Sequence, residues 1–103
     1  KVYVEYLKRY LERQGFSVEK YYEPMGGGVV YDVAAFSEHS DGTRSLRVIG
    51  EVVSNLRAEW IVKHYDDMAQ TEDVLRLWVV RNDEGAHELV RTLKKAERVT
   101  NVP

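Results

Sequence analysis

Two acids sit where acids are costly. Asp32 lies in the run YDVAAF and Glu51 in the run VIGEVVS. An ionised carboxylate inside an apolar strand needs a cation, hydrogen-bond donors or a metal ion to offset its lost hydration. If the two strands are neighbours and both acids lie at the same end, the carboxylates can converge on one divalent ion such as Mg²⁺. An ion held there polarises a phosphate oxygen and makes a bound water more acidic. Simpler partners are also at hand: solvent at the strand ends, or a nearby guanidinium from Arg44 or Arg47.

The elements that must position these acids can be read from hydrophobic period and turn chemistry. KVYVEYLKRYLERQG reads as a helix with Tyr3, Leu7, Tyr10 and Leu11 on one face, Glu5, Arg9 and Glu12 on another, and Gly15 as its stop. FSVEKYYEP reads as a first strand ending at Pro24, MGGG as a turn, and VVYDVAAF as the second strand. Asp41-Gly42 is a hairpin signal leading into the third strand, LRVIGEVV. In LRAEWIVKHYDDMAQ a second helix presents Ala58, Ile61, Val62, Tyr65, Met68 and Ala69, with Ser54 or Asn55 as its cap. VLRLWVV is nearly continuous apolar sequence, which predicts an inner, parallel strand covered on both faces. EGAHELVRTLKKAERV predicts a third helix packed through Ala86, Leu89, Val90 and Leu93 and capped by Asn82 or Asp83. The order is αβββαβα: an α/β domain with a three-stranded meander, then a helical crossover to a parallel fourth strand.

With 103 residues, 44% of them hydrophobic, the chain suits one domain spanning 1–103. Fifteen basic against seventeen acidic residues give a net charge of −2, so any polyanion must be met by a local patch rather than by a global positive field. The absence of cysteine removes disulfides, thiolate metal ligands and thiol nucleophiles, and fits a cytoplasmic protein. No apolar run approaches the roughly 20 residues that cross a bilayer, so no membrane partner is expected. Because the chain opens on Lys1 directly in helix-like sequence, excision from a longer protein with a further domain is expected.

The acids, placed in this order of elements, resemble the PD-(D/E)XK nuclease superfamily, whose fold is restriction-endonuclease-like. In layout the chain is similar to the archaeal Holliday-junction resolvases. The resemblance rests on YDVAAF and GEVVS. It implies that Asp32 matches the family aspartate and Glu51 the second acid, both catalytic and both metal ligands, while Val53 stands where the family places lysine. Glu5 resembles an acid that some members bring from their first helix; a pairing with Arg9 one turn away is its other reading. The implied cofactor is Mg²⁺ or Mn²⁺, the implied partner DNA, and the implied activity phosphodiester hydrolysis. A second copy of the chain is a further candidate partner. The valine leaves open a non-catalytic domain of the same fold that binds nucleic acid or a protein.

Substitutes for the missing cation can be weighed by position. Lys63 falls about 150° from the centre of its helix's apolar face and should point to solvent. Arg57, nearer the strand end, could clamp a phosphate but stays protonated and cannot act as a base. Arg91, Lys94, Lys95 and Arg98 share about 100° of arc on the third helix. That stripe suits a phosphate backbone, or is simply a solvated face near a helix C-terminus. His39, His64 and His87 share no ligand spacing and read as surface residues. The GGG run lacks the Lys and Ser/Thr of a phosphate-binding loop and is turn material. Most tyrosines read as core edges, with Tyr21 and Tyr22 as candidates to stack on an unpaired base.

Overall fold

A computed structural model describes residues 2–99 of the chain, so Lys1, at the head of the first predicted helix, lies outside the described residues. The elements are α1 (Val2–Arg13), β1 (Ser17–Tyr22), a 3₁₀ turn (Pro24–Gly26), β2 (Tyr31–Glu38), β3 (Arg44–Val52), α2 (Ala58–Ala69), β4 (Leu75–Val79) and α3 (Asp83–Lys95). The chain is thus α/β in the predicted order, with a mixed four-stranded sheet flanked by three helices. The sheet runs β1-β2-β3-β4. Its first two pairings are antiparallel, and β3 and β4 are parallel across the α2 crossover.

Each face of the sheet has its own apolar packing. On one face Val4, Leu7 and Leu11 of α1 pack on Val33, Ala35 and Val48, with Val52, Leu77 and Val79 alongside. On the other, Ile49 and Trp78 meet Met68 of α2, while Ile61 joins Leu89 and Leu93 where α2 crosses α3. Gly50 matters here, because a Cβ on it would stand 2.9 Å from Leu7 Cδ2, so a side chain would require the tip of Leu7 to move aside. Gly42, at φ +88°, forms the predicted hairpin turn, and Asp41 closes that turn by accepting from the Thr43 amide and hydroxyl.

Four expectations need correction. Strand β4 is parallel but lies at the sheet edge, with Leu75 60% exposed. Its apolar run reports two covered faces, Leu77 and Val79 towards α1 and Trp78 towards α2, rather than a central position. On α1 the buried stripe is Val4, Leu7 and Leu11, and Tyr3 and Tyr10 are exposed. The first residue of α2 follows Arg57, which makes no side-chain cap bond; Asn55 stands two residues before that cap position and accepts from the Arg57 amide. On α3 Asn82 is the cap, holding the Gly85 amide, while Val90 faces outward and Thr92 is buried in its stead.

The end of α3 is tied to α2 by two hydrogen bonds from the Arg98 guanidinium to the Asp66 carboxylate. That pairing holds the Asp66 carboxyl below its ordinary value of 3.8. A carboxylate with a depressed folded-state pKa adds stability above its unfolded pKa and loses it as pH falls through the folded value. Asp66→Asn is therefore expected to lower the urea midpoint slightly at pH 7. The difference from wild type should shrink below about pH 4, and a gap that persists unchanged at pH 2 would refute the charge origin.

Candidate functional site

The site begins where two strands part. The β2–β3 ladder runs to Val33 opposite Gly50. Two residues beyond Gly50, the Val52 amide donates at 2.8 Å to Asp32 Oδ2, so a side-chain carboxylate stands where a strand carbonyl would continue the ladder. Strict alternation would send Tyr31 to the α1 face with Val33. Instead Tyr31 is buried with Ile49 and Met68, and its hydroxyl bonds the Asp67 carbonyl and the Thr71 hydroxyl. The pleat is broken at Tyr31–Asp32, and that break turns Asp32 towards β3.

Glu51 lies at the matching end of β3, one residue beyond Gly50 and in register with Trp78 of β4. It is only 3% exposed, and His64 Nδ1 of α2 stands 3.8 Å from its Oε2. The His64 ring meets Trp78 edge-on at 6.4 Å. Asp32 and Glu51 line one cleft of about 200 Å³ with Ser54, Asn55, Trp60 and His64, and Val53 forms part of its wall. The structure therefore brings together the two acids singled out from sequence. It gives them partners other than Arg44, which pairs with Glu19 and lies over the Phe36 ring.

The remaining candidates fall elsewhere. Glu5 is bound to Lys20 of β1, not to Arg9, and is not among the residues lining the cleft; that contact holds its carboxyl below the usual range. Arg57 is exposed and paired with Glu59, and Lys63 points to solvent and pairs with Asp67. Arg91 of α3 is taken by Glu88, and Arg98, which lies beyond the end of α3, by Asp66; Lys94 and Lys95 are exposed and meet no carboxylate at ion-pair distance among the described residues. Tyr22 packs edge-on against Phe36, and neither it nor Tyr21 lines the acid cleft.

Among the described residues no lysine or arginine lines the acid cleft, and Val53 is 5% exposed, its amide donating to the Val79 carbonyl so that β3 pairing continues past Val52. Among the described residues no group of three or more His, Asp or Glu side chains is placed to hold a metal ion. His64 and Trp60 are the site residues that sequence reasoning missed. The signal was present: His64 is one turn from both Ile61 and Met68, on the stripe of α2 that faces the sheet.

Comparison of the chain with protein-family models, with curated proteins and with solved structures finds no match to any of them. Among the described residues, no helix is long and apolar enough to cross a membrane.

The Asp32–Val52 bond gives a direct stability test. Asp32→Ala removes the acceptor from a part-buried amide and is expected to cost about 1–3 kcal/mol by urea denaturation. Asp32→Asn keeps an acceptor oxygen and should cost clearly less. Equal losses for the two variants would show that the carboxylate's charge, and not the strand-closing bond, sets the effect.

Proposed function

We propose that this chain is a nuclease-like domain that engages DNA at the Asp32–Glu51 cleft and, with valine at position 53, hydrolyses it slowly. The observation that carries the reading is the convergence of two carboxylates from adjacent strands in one cleft. The αβββαβα order supports it by analogy of fold alone.

The donor set suits a loosely held Mg²⁺ rather than a caged ion. Magnesium keeps several waters and takes one or two carboxylates together with substrate phosphate. Asp32 and Glu51 are the residues that would hold it. When bound, such an ion supplies polarisation of a phosphate oxygen and a more acidic water. The chain's own residues do the rest. The Val52 amide fixes one oxygen of Asp32, His64 sits against Glu51, and Trp60 lines the cleft.

A cation beside the scissile phosphate stabilises the charge that develops in the transition state. Valine cannot do this. The buried side chain of Val53 thus favours a second reading, in which the domain binds nucleic acid and does not cut it. The two readings separate in one experiment. Val53→Lys, or Ser54→Lys at the exposed neighbouring position on the same wall, is expected to raise Mg²⁺-dependent cleavage of duplex or branched DNA by roughly a hundredfold. Adding Asp32→Ala to either variant should abolish the gain. Robust wild-type cleavage that Asp32→Ala removes would mean that another residue supplies the charge. No cleavage by any variant would leave the binding reading.

A further inference from the structure

We propose that the outer face of α1 is a stacking track for single-stranded nucleic acid, continuous with the acid cleft. This inference rests on the nucleic-acid reading above and names the form of the strand. Tyr3, Tyr6 and Tyr10 are 48%, 60% and 55% exposed although they are large aromatics on a helix whose other side is core. At 100° per residue they share about 120° of arc with Arg9 and Arg13. Both arginines are exposed, and neither meets a carboxylate at ion-pair distance among the described residues. Glu5 and Glu12 fall outside that arc, and both are engaged, with Lys20 and Lys8.

The stripe leads towards the acids. Tyr3 contacts Tyr6, ring centroids 6.3 Å apart, and also lines a cleft of about 600 Å³ at the carboxyl ends of β3 and β4. Arg81 and Arg91 line that cleft together with Glu84 and Glu88, the last of these paired with Arg91. Val52, Val53 and Ser54 line both the large cleft and the acid cleft, so the cleft that Tyr3 reaches adjoins the one that holds the acids.

The chemistry of this face selects the occupant. Exposed rings interleaved with unpaired guanidinia offer stacking to unpaired bases and charge to the phosphates between them. Duplex bases are already stacked and present no free faces to tyrosine. A second copy of the chain would set Arg9 and Arg13 against a like face whose nearby acids are already committed.

Fluorescence anisotropy with a labelled oligothymidine and a duplex of matched length tests the track. Expected is tighter binding of the single strand, with Tyr6→Ala and Tyr10→Ala each weakening it roughly tenfold while Tyr6→Phe and Tyr10→Phe retain it. Arg9→Ala and Arg13→Ala should each reduce the salt slope by about 0.7. All of these side chains are exposed, so the variants should fold, and circular dichroism checks that they do. Unchanged affinity in both alanine variants, or tighter binding of the duplex, overturns the track. So does a dimer that Tyr6→Ala disperses with no oligothymidine binding, which would assign the face to a second copy. If the tyrosine variants bind normally while Val53→Lys still gains cleavage, the track alone is wrong. Tyrosine-dependent oligothymidine binding with no cleavage gain from Val53→Lys or Ser54→Lys upholds the track and removes the hydrolytic reading.

Discussion

The hydrogen bond from the Val52 amide to Asp32 Oδ2 is the contact around which the site is arranged. A buried backbone N–H must find an acceptor, and at this point β2 supplies a side chain instead of its main chain. That substitution has three consequences. It ends the β2–β3 ladder without leaving an orphan donor, and it releases Tyr31 to fill the α2 side of the sheet. It also holds an acid at the strand end directly beside Glu51. The cleft is therefore a product of strand separation rather than of loop insertion, and its acids sit on sheet elements where their positions are well determined.

Around that point the molecule keeps its charges occupied. Lys20, Arg44, Lys63, Arg91 and Arg98 each have a carboxylate, and the Arg76 guanidinium bonds the Met68 and Thr71 carbonyls at the turn after α2. Exposed pairs of this kind add little stability individually. They do decide where cations remain for a ligand. With the net charge near zero, the arginines on α1 and lysines on α3 that meet no carboxylate among the described residues are local features rather than parts of a general positive field. Among the described residues the acid cleft itself receives no lysine or arginine.

Much of this was legible in the sequence. The element order followed from period and turn chemistry, because Gly15, Asp41-Gly42 and Asn82 act locally. The convergence of Asp32 and Glu51 followed from the cost of placing acids in apolar runs. What escaped depends on packing at long range. His64 looked solvated because it shares no ligand spacing with the other histidines; its helical spacing from Ile61 and Met68 put it on the sheet-facing stripe of α2, but only the packing shows the buried glutamate beside it. Tyrosine serves as core edge or exposed platform equally well, so Tyr3 and Tyr10 were placed inside where Val4 belongs. The apolar run in β4 reads the same at an edge as at the centre when both faces are covered. The break in alternation at Tyr31 has no local signal, since it shows only in the packing of Tyr31 against Ile49 and Met68 and in the reach of Asp32 to β3.

The central claim is that Asp32 and Glu51 act as one site. Titration of Mn²⁺ into isotope-labelled protein, read as paramagnetic broadening of amide resonances, tests it most directly. If the two acids share the ion, the amides of Asp32, Val52, Val53 and Ser54 broaden first and together, and Glu51→Gln abolishes the effect. Broadening that begins instead at exposed acids such as Glu12, Glu72 or Glu97, with the strand ends unaffected, would contradict it.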